Sequence, residues 1–244
     1  MSIKIMSHLV AGFPDRAGFT QAVKGLKAGG ADILELQIPF SDPIADGPII
    51  TNACEQAIAN GFKVTETFDY LGIVREAGFK RIVVMTYANI AFRYGISRYV
   101  ADLKAAGVES ALVPDLPLED EEGFFHSAFD VGLMPMPVVV INMPPERLAL
   151  LKSFPFLKVY AAIRMGITGK QTSITDEVRS FLDGLNGYER YAGFGIRSPE
   201  QIRLLEGHAD VAVVGSYFTS LIHEMHEQHR DIYHAVKGAM ARLI

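Results

Sequence analysis

Short apolar runs alternate along the chain with amphipathic stretches, and the order is regular. The runs fall at Ile5–Ala11, Ile33–Ile38, Ile82–Tyr87, Ala111–Val113, Met136–Ile141, Val159–Ile163, Tyr191–Phe194 and Val211–Val214. Each is too short for a helix and most are rich in β-branched or aromatic residues, so they predict strands. Between them, Arg16–Ala28, Val64–Ala77, Ile96–Ala106, Asp120–Val131, Pro145–Lys152, Ile174–Leu185, Pro199–Glu206 and His229–Leu243 predict helices. Gly29-Gly30, Gly78, Gly107 and Gly132 stand before the second to fifth strands. A residue just past a helix often turns left-handed, which glycine does without side-chain strain. Ser198 followed by Pro199 is the matching start signal. Eight strand–helix alternations without a linker predict a parallel sheet, and eight strands close a (β/α)8 TIM barrel, here one domain over residues 1–244.

Composition narrows the picture. A length of 244 residues, 49% apolar and 21% charged, suits one such barrel and excludes a disordered chain. The single cysteine, Cys54, forms no internal disulfide, reads as a buried thiol and suits a reducing cytoplasm. No secretion signal opens the chain and no run approaches about 18 apolar residues, so no membrane span is expected. A net charge of −5 without a Lys/Arg block argues against nucleic acid.

The second strand carries the first chemical signal. Side chains alternate faces along a strand, which puts Leu34, Leu36 and Ile38 on one side and Ile33, Glu35 and Gln37 on the other. The wholly apolar side belongs against helices, so Glu35 and Gln37 project into the barrel mouth. A carboxylate there is costly to desolvate, and barrel active sites lie at the carboxyl ends of strands. Glu35 is therefore a catalytic candidate, with an internal hydrogen-bonded glutamate as the alternative. The loop Ser41–Pro48 leads into a helical stretch at Ile49–Ala59. Asp46 within it reads either as a catalytic group or as a cap of that helix or its turn.

The run LELQIPFSDPIADGP, residues 34–48, resembles the signature of the tryptophan synthase α subunit family. Further motifs follow in family order at strand ends: Ala11–Asp15, Met85–Asn89, Val113–Pro117, Arg164–Gly169, Gly193–Ile196 and Val214–Ser216. The resemblance implies a lyase that cleaves indole-3-glycerol phosphate to indole and glyceraldehyde 3-phosphate, by proton transfers alone. Glu35 would be the acid and base at indole C3 and the side-chain hydroxyl. Asp46 would accept from the indole N–H, and Thr168 resembles the residue that holds this Asp when the loop over the site closes. Gly169, Phe194, Gly195, Gly215 and Ser216 lie where barrels of this kind bind phosphate, with backbone N–H groups and a short helix starting near Ser216. Such a grip needs no basic patch, which reconciles the acidic chain with an anionic substrate. Tyr87 and Tyr160 have inward parity and resemble the indole-pocket lining; ordinary core aromatics are the alternative.

The same resemblance implies no metal and no organic cofactor in this chain. Pyridoxal phosphate would belong to a β-subunit partner in an α2β2 heterotetramer, contacted by the Pro43–Asp46 loop and by Asp115–Pro117. A stand-alone lyase and a non-catalytic regulator of β are the alternatives. His223, His226 and His229 miss the HExxH spacing and read as a solvated helix face. Gly193–Gly195 lacks the third glycine of a dinucleotide-binding loop. Three features depart from the family. Gln37 replaces a glycine, where its amide either hydrogen-bonds Glu35 or narrows the pocket. His8 stands where an aromatic or apolar residue is usual, as a hydrogen-bonded barrel histidine or one that reaches the site. The first strand starts almost at Met1, so the helix that covers the barrel bottom is not expected, and exposed apolar surface is expected there.

Overall fold

A computed structural model describes residues 3–163, 174–193 and 195–244, and among them nine strands form one parallel sheet. They are β1 (Lys4–Val10), β2 (Ile33–Gln37), β3 (Arg81–Met85), β4 (Ser110–Leu112), β5 (Met134–Pro135), β6 (Val138–Val140), β7 (Lys158–Ala162), β8 (Glu189–Gly193) and β9 (Val211–Val214). The order is β5-β4-β3-β2-β1-β9-β8-β7-β6. Of its two ends, β6 falls within the fifth strand expected at Met136–Ile141, and β5 lies just before it, so the fifth strand starts earlier than expected and is divided. Pro135 and Pro137 explain the division, because proline has no N–H to give to a ladder. Across the gap, Met136 N donates to Ala111 O (2.8 Å) on one side, and Pro137 O accepts from Tyr160 N (2.9 Å) on the other. The chain itself thus joins the sheet's ends, and the barrel is the expected TIM barrel.

The helices are α1 (Arg16–Ala28), α2 (Pro48–Ala59), α3 (Thr67–Glu76), α4 (Ala88–Tyr94), α5 (Ile96–Ala105), α6 (Phe124–Asp130), α7 (Pro145–Ser153), α8 (Asp176–Asp183), α9 (Pro199–Leu205), α10 (Ser216–Glu227) and α11 (Ile232–Ala241). Several differ from expectation. The helix expected from Val64 begins with a 3₁₀ turn at Val64–Glu66. The one expected from Asp120 starts at Phe124, because the Asp120 carboxylate accepts from Phe125 N at 2.9 Å and caps the turn instead. The one expected from His229 starts at Ile232, capped by Asp231. α4 has no counterpart in the sequence reading; its cap is tertiary, Asp115 Oδ1 accepting from Ala88 N at 2.9 Å.

Two apolar zones result. Leu34, Leu36 and Ile38 pack outward against the helices, while Met6, Ile33, Val83, Tyr191, Val211 and their neighbours fill the barrel. At the amino-terminal end of the strands a cluster of charges closes the barrel, and apolar surface is exposed there too, at Leu157 just before β7 (62%) and at Ile244 (75%). Arg81 on β3 reaches Glu109 Oε2 (2.9 Å) and, across the barrel, Glu189 Oε2 (2.9 Å) and the Tyr191 hydroxyl (2.6 Å). Lys158 pairs with Glu109 and lies 3.5 Å from Glu189. Burial alone would raise both carboxyl groups, but hydrogen bonds from Arg81 and the charge of Lys158 outweigh it and hold them below the usual range. Groups with depressed values stabilise the fold above their unfolded values and lose that contribution as pH falls. Arg81→Met leaves two carboxylates around Lys158 and is expected to cost about 2 kcal/mol at pH 7, below the range for fully buried pairs because this one is partly wet. Urea unfolding at pH 7 and pH 4 checks this: the penalty should shrink at the lower pH.

Candidate active site at the carboxyl ends of the strands

Parallel pairing of β1 with β2 sets His8 opposite Glu35. Both side chains are buried, and His8 Nδ1 lies 2.8 Å from Glu35 Oε2. Burial pushes the His8 ring down, but the hydrogen bond and charge of Glu35, helped by Asp46 and Gln37, more than reverse this and leave it raised. The pair lies directly above the apolar barrel filling, as the alternation along β2 predicts for Glu35. His8 therefore both makes the expected barrel hydrogen bond and reaches the site.

Asp46 arrives from the loop after β2. A turn closed by Asp46 N donating to Pro43 O (2.9 Å) brings it back over the mouth. It is not the helix cap: α2 starts at Pro48 with Gly47 in the cap position. Instead Gln37 Nε2 (2.7 Å) and the Tyr87 hydroxyl (2.8 Å) both donate to Asp46 Oδ2. Two donors on one oxygen fix the plane of the carboxylate. Burial raises the Asp46 carboxyl, with His8, Gln37 and Tyr87 pulling back only part of that shift. The Gln37 amide thus holds Asp46, not Glu35. Its amide also lies 3.6 Å from Cys54 Sγ, a buried thiol whose burial pushes it up to about 12.

Tyr87 is wholly buried, stacks on Phe40 with ring centroids 5.2 Å apart, and accepts from Ala45 N at 3.1 Å. It is a strut for the Asp46 loop as well as a wall. Nothing in the local pattern marked Phe40. Tyr160 on β7 is also buried, and burial followed by the charges of Glu35 and Asp46 keeps its phenol well above the usual range. Its hydroxyl lies over Gly193 so closely that a Cβ there would come within 2.1 Å of it. Only glycine fits at that place.

On the opposite rim, Gly195 has a φ of +84° and its carbonyl accepts from Gln201 Nε2 at 3.1 Å. Gly215 caps α10, whose first residue is Ser216. A Cβ on Gly215 would lie 3.4 Å from His8 Cβ, so this helix end adjoins the His8–Glu35 pair. Phe218 N in its first turn donates to Gly215 O at 2.9 Å, and the positive end of the helix dipole faces the mouth, where it can meet an anion. Thr168, Gly169 and Phe194 lie outside the described residues. The three C-terminal histidines are not uniformly solvated: His223 is half-buried and stacks on Phe13 (6.2 Å), His226 is half-buried, and His229 is exposed. Among the described residues no group of His, Cys, Asp and Glu could hold a metal ion, and no helix is long and apolar enough to cross a membrane.

A family model described as tryptophan synthase alpha chain matches residues 3–242. The chain belongs to the tryptophan synthase alpha chain family. It is 34% identical over 225 residues to the tryptophan synthase alpha chain of Desulfotalea psychrophila, covering 91% of this chain and 89% of that one. With the alpha chain of Desulforapulum autotrophicum it shares 36% over 220 residues, 88% of this chain and 86% of that one. Among solved structures, Mycobacterium tuberculosis tryptophan synthase superposes with a TM-score of 0.85 at 30% identity, covering 100% of this chain and 94% of that one. A chain of the Pyrococcus furiosus tryptophan synthase α2β2 complex gives 0.86 at 29%, covering 98% and 97%.

Proposed function

We propose that this chain is the α subunit of a cytoplasmic tryptophan synthase and cleaves indole-3-glycerol phosphate to indole and glyceraldehyde 3-phosphate. One observation carries the reading: two carboxylates, the buried Glu35 and the half-buried Asp46, share one barrel mouth, each held by its own polar partner. The cleavage needs a proton on indole C3, an acceptor for the ring N–H and a base for the side-chain hydroxyl, and positioned carboxylates supply all three. Glu35 gives the proton to C3 while Asp46 takes the one on nitrogen. Glu35 then takes the hydroxyl proton as the carbon–carbon bond breaks into the ring, and Asp46 returns its proton. Every proton lent is recovered, so no cofactor enters. Tyr87 and Tyr160 flank the ring, Gly195, Gly215 and Ser216 meet the phosphate together with Gly169 and Phe194, and Thr168 is the residue that holds Asp46.

The partner in this reading is a β subunit that carries pyridoxal phosphate. The Pro43–Asp46 loop, which presents Ile44 with 75% of its surface exposed, and Asp115–Pro117 are the contact region. Indole release from indole-3-glycerol phosphate, measured for the chain alone and with β subunit, tests the reading. Release that β accelerates is the expected result. No release under either condition overturns it, and full activity without β favours a stand-alone lyase.

A further inference from the structure

We propose that His8 is a positioning residue that shares one proton with Glu35 across their hydrogen bond, so that the two side chains enter the reaction as a singly protonated pair. The inference rests on the lyase reading and concerns how Glu35 comes to hold the proton it must give.

The geometry selects His8 for this task. The β1–β2 register places the two side chains face to face, 2.8 Å apart and out of water. The titratable groups turned toward them are Asp46 from the loop after β2, Tyr160 from β7 and, beyond Asp46, Tyr87 from the end of β3. The two tyrosines are protonated, which leaves Glu35 and Asp46 as the charges that His8 balances. A histidine kept only for packing would have both ring nitrogens satisfied or an apolar ring in its place. Here Nδ1 is committed to Glu35, while His8 Nε2 and Gln37 Oε1 are buried without hydrogen-bond partners among the described residues. The amide, in the same layer, also favours the imidazolium.

The chemistry gives the pair a purpose. Glu35 must act first as an acid, so it must hold a proton when the ring arrives. With His8 in contact, the proton has two sites, Glu35 Oε2 and His8 Nδ1, and leaves the pair only at its upper macroscopic ionisation. When Glu35 gives its proton to C3, the imidazole is neutral and the carboxylate is ready to receive the hydroxyl proton. That second transfer restores the starting state, so the cycle neither gains nor loses a proton.

Two measurements test this. The pH profile of kcat for indole release in wild type, His8→Phe and His8→Asn reads the pair directly. In both variants the alkaline limb is expected to move to lower pH by at least about one unit, since the more basic of the pair's two sites, the imidazole, is then gone. A limb that stays in place in either folded variant overturns the proposal. The second readout needs no substrate: ¹⁵N chemical shifts of His8 across pH in wild type and Glu35→Gln. Titration of the ring is expected to move down by more than one unit when the carboxylate is removed. An unshifted ring, or a ring neutral at pH 6 in wild type, overturns the sharing even if the protein proves not to cleave indole-3-glycerol phosphate. A shifted ring in a protein that does not cleave it would refute the lyase reading and leave the pair standing.

Discussion

Glu35→Gln is expected to lower kcat for indole release about 10³-fold, with KM within a few-fold of wild type, the range for removing a general acid–base group. The amide matches the carboxyl in shape and can still hydrogen-bond His8 Nδ1, so the barrel layer formed by Met6, Ile33 and Val83 is undisturbed. What is lost is a proton to give to C3 and a base to take the one on the hydroxyl. Both fall on the same oxygen atoms, so no other group in the mouth replaces them: Tyr160 is held fully protonated by burial and by the charges beside it. Steady-state kinetics with the purified variant, with β subunit present, check the prediction. Activity within tenfold of wild type would remove Glu35 from the mechanism.

Asp46→Asn is expected to cost about 10²-fold in kcat, less than Glu35→Gln because the asparagine carbonyl still accepts a hydrogen bond but no longer offers a charge to the ring. The grip on it survives, since Gln37 Nε2 and the Tyr87 hydroxyl can donate to either kind of oxygen. The pH dependence separates charge from geometry. Burial raises the Asp46 carboxyl, and the opposing hydrogen bonds do not restore it. Catalysis needs the ionised form, so wild-type activity falls on acidification at a pH above the ordinary aspartate value of about 3.9. The variant has no such group, and its profile should lack that acid limb. An acid limb unchanged between the two proteins would assign it to another residue.

The two carboxylates were legible to different degrees. Glu35 followed from alternation along β2, a property of the six consecutive residues Ile33–Ile38 that needs no tertiary information. Asp46 stayed divided between catalysis and capping, because a loop aspartate before a helix has the same local pattern in both roles. The turn onto Pro43 and the donors Gln37 and Tyr87 decided between them. Gln37 was visible as an inward amide, but its partner was not: Glu35 and Asp46 are both within reach in sequence, and only the loop's path shows which one it holds. α4 was missed since its capping group, Asp115, sits 27 residues away.

The sequence by itself determined which strand faces turn inward, where most helices stop and the family to which the chain belongs. Those depend on periods of two and about 3.6 residues, on glycine and proline punctuation, and on contiguous motifs, all of which are local. The tertiary structure alone decided that His8 meets Glu35, that Gln37 and Tyr87 hold Asp46, and that Arg81, Glu109, Lys158 and Glu189 close the lower end. Each of these joins different strands or a strand to a loop, and is created by register and barrel closure. A shift of one residue in the β1–β2 register would turn His8 away from Glu35 while leaving every local pattern intact.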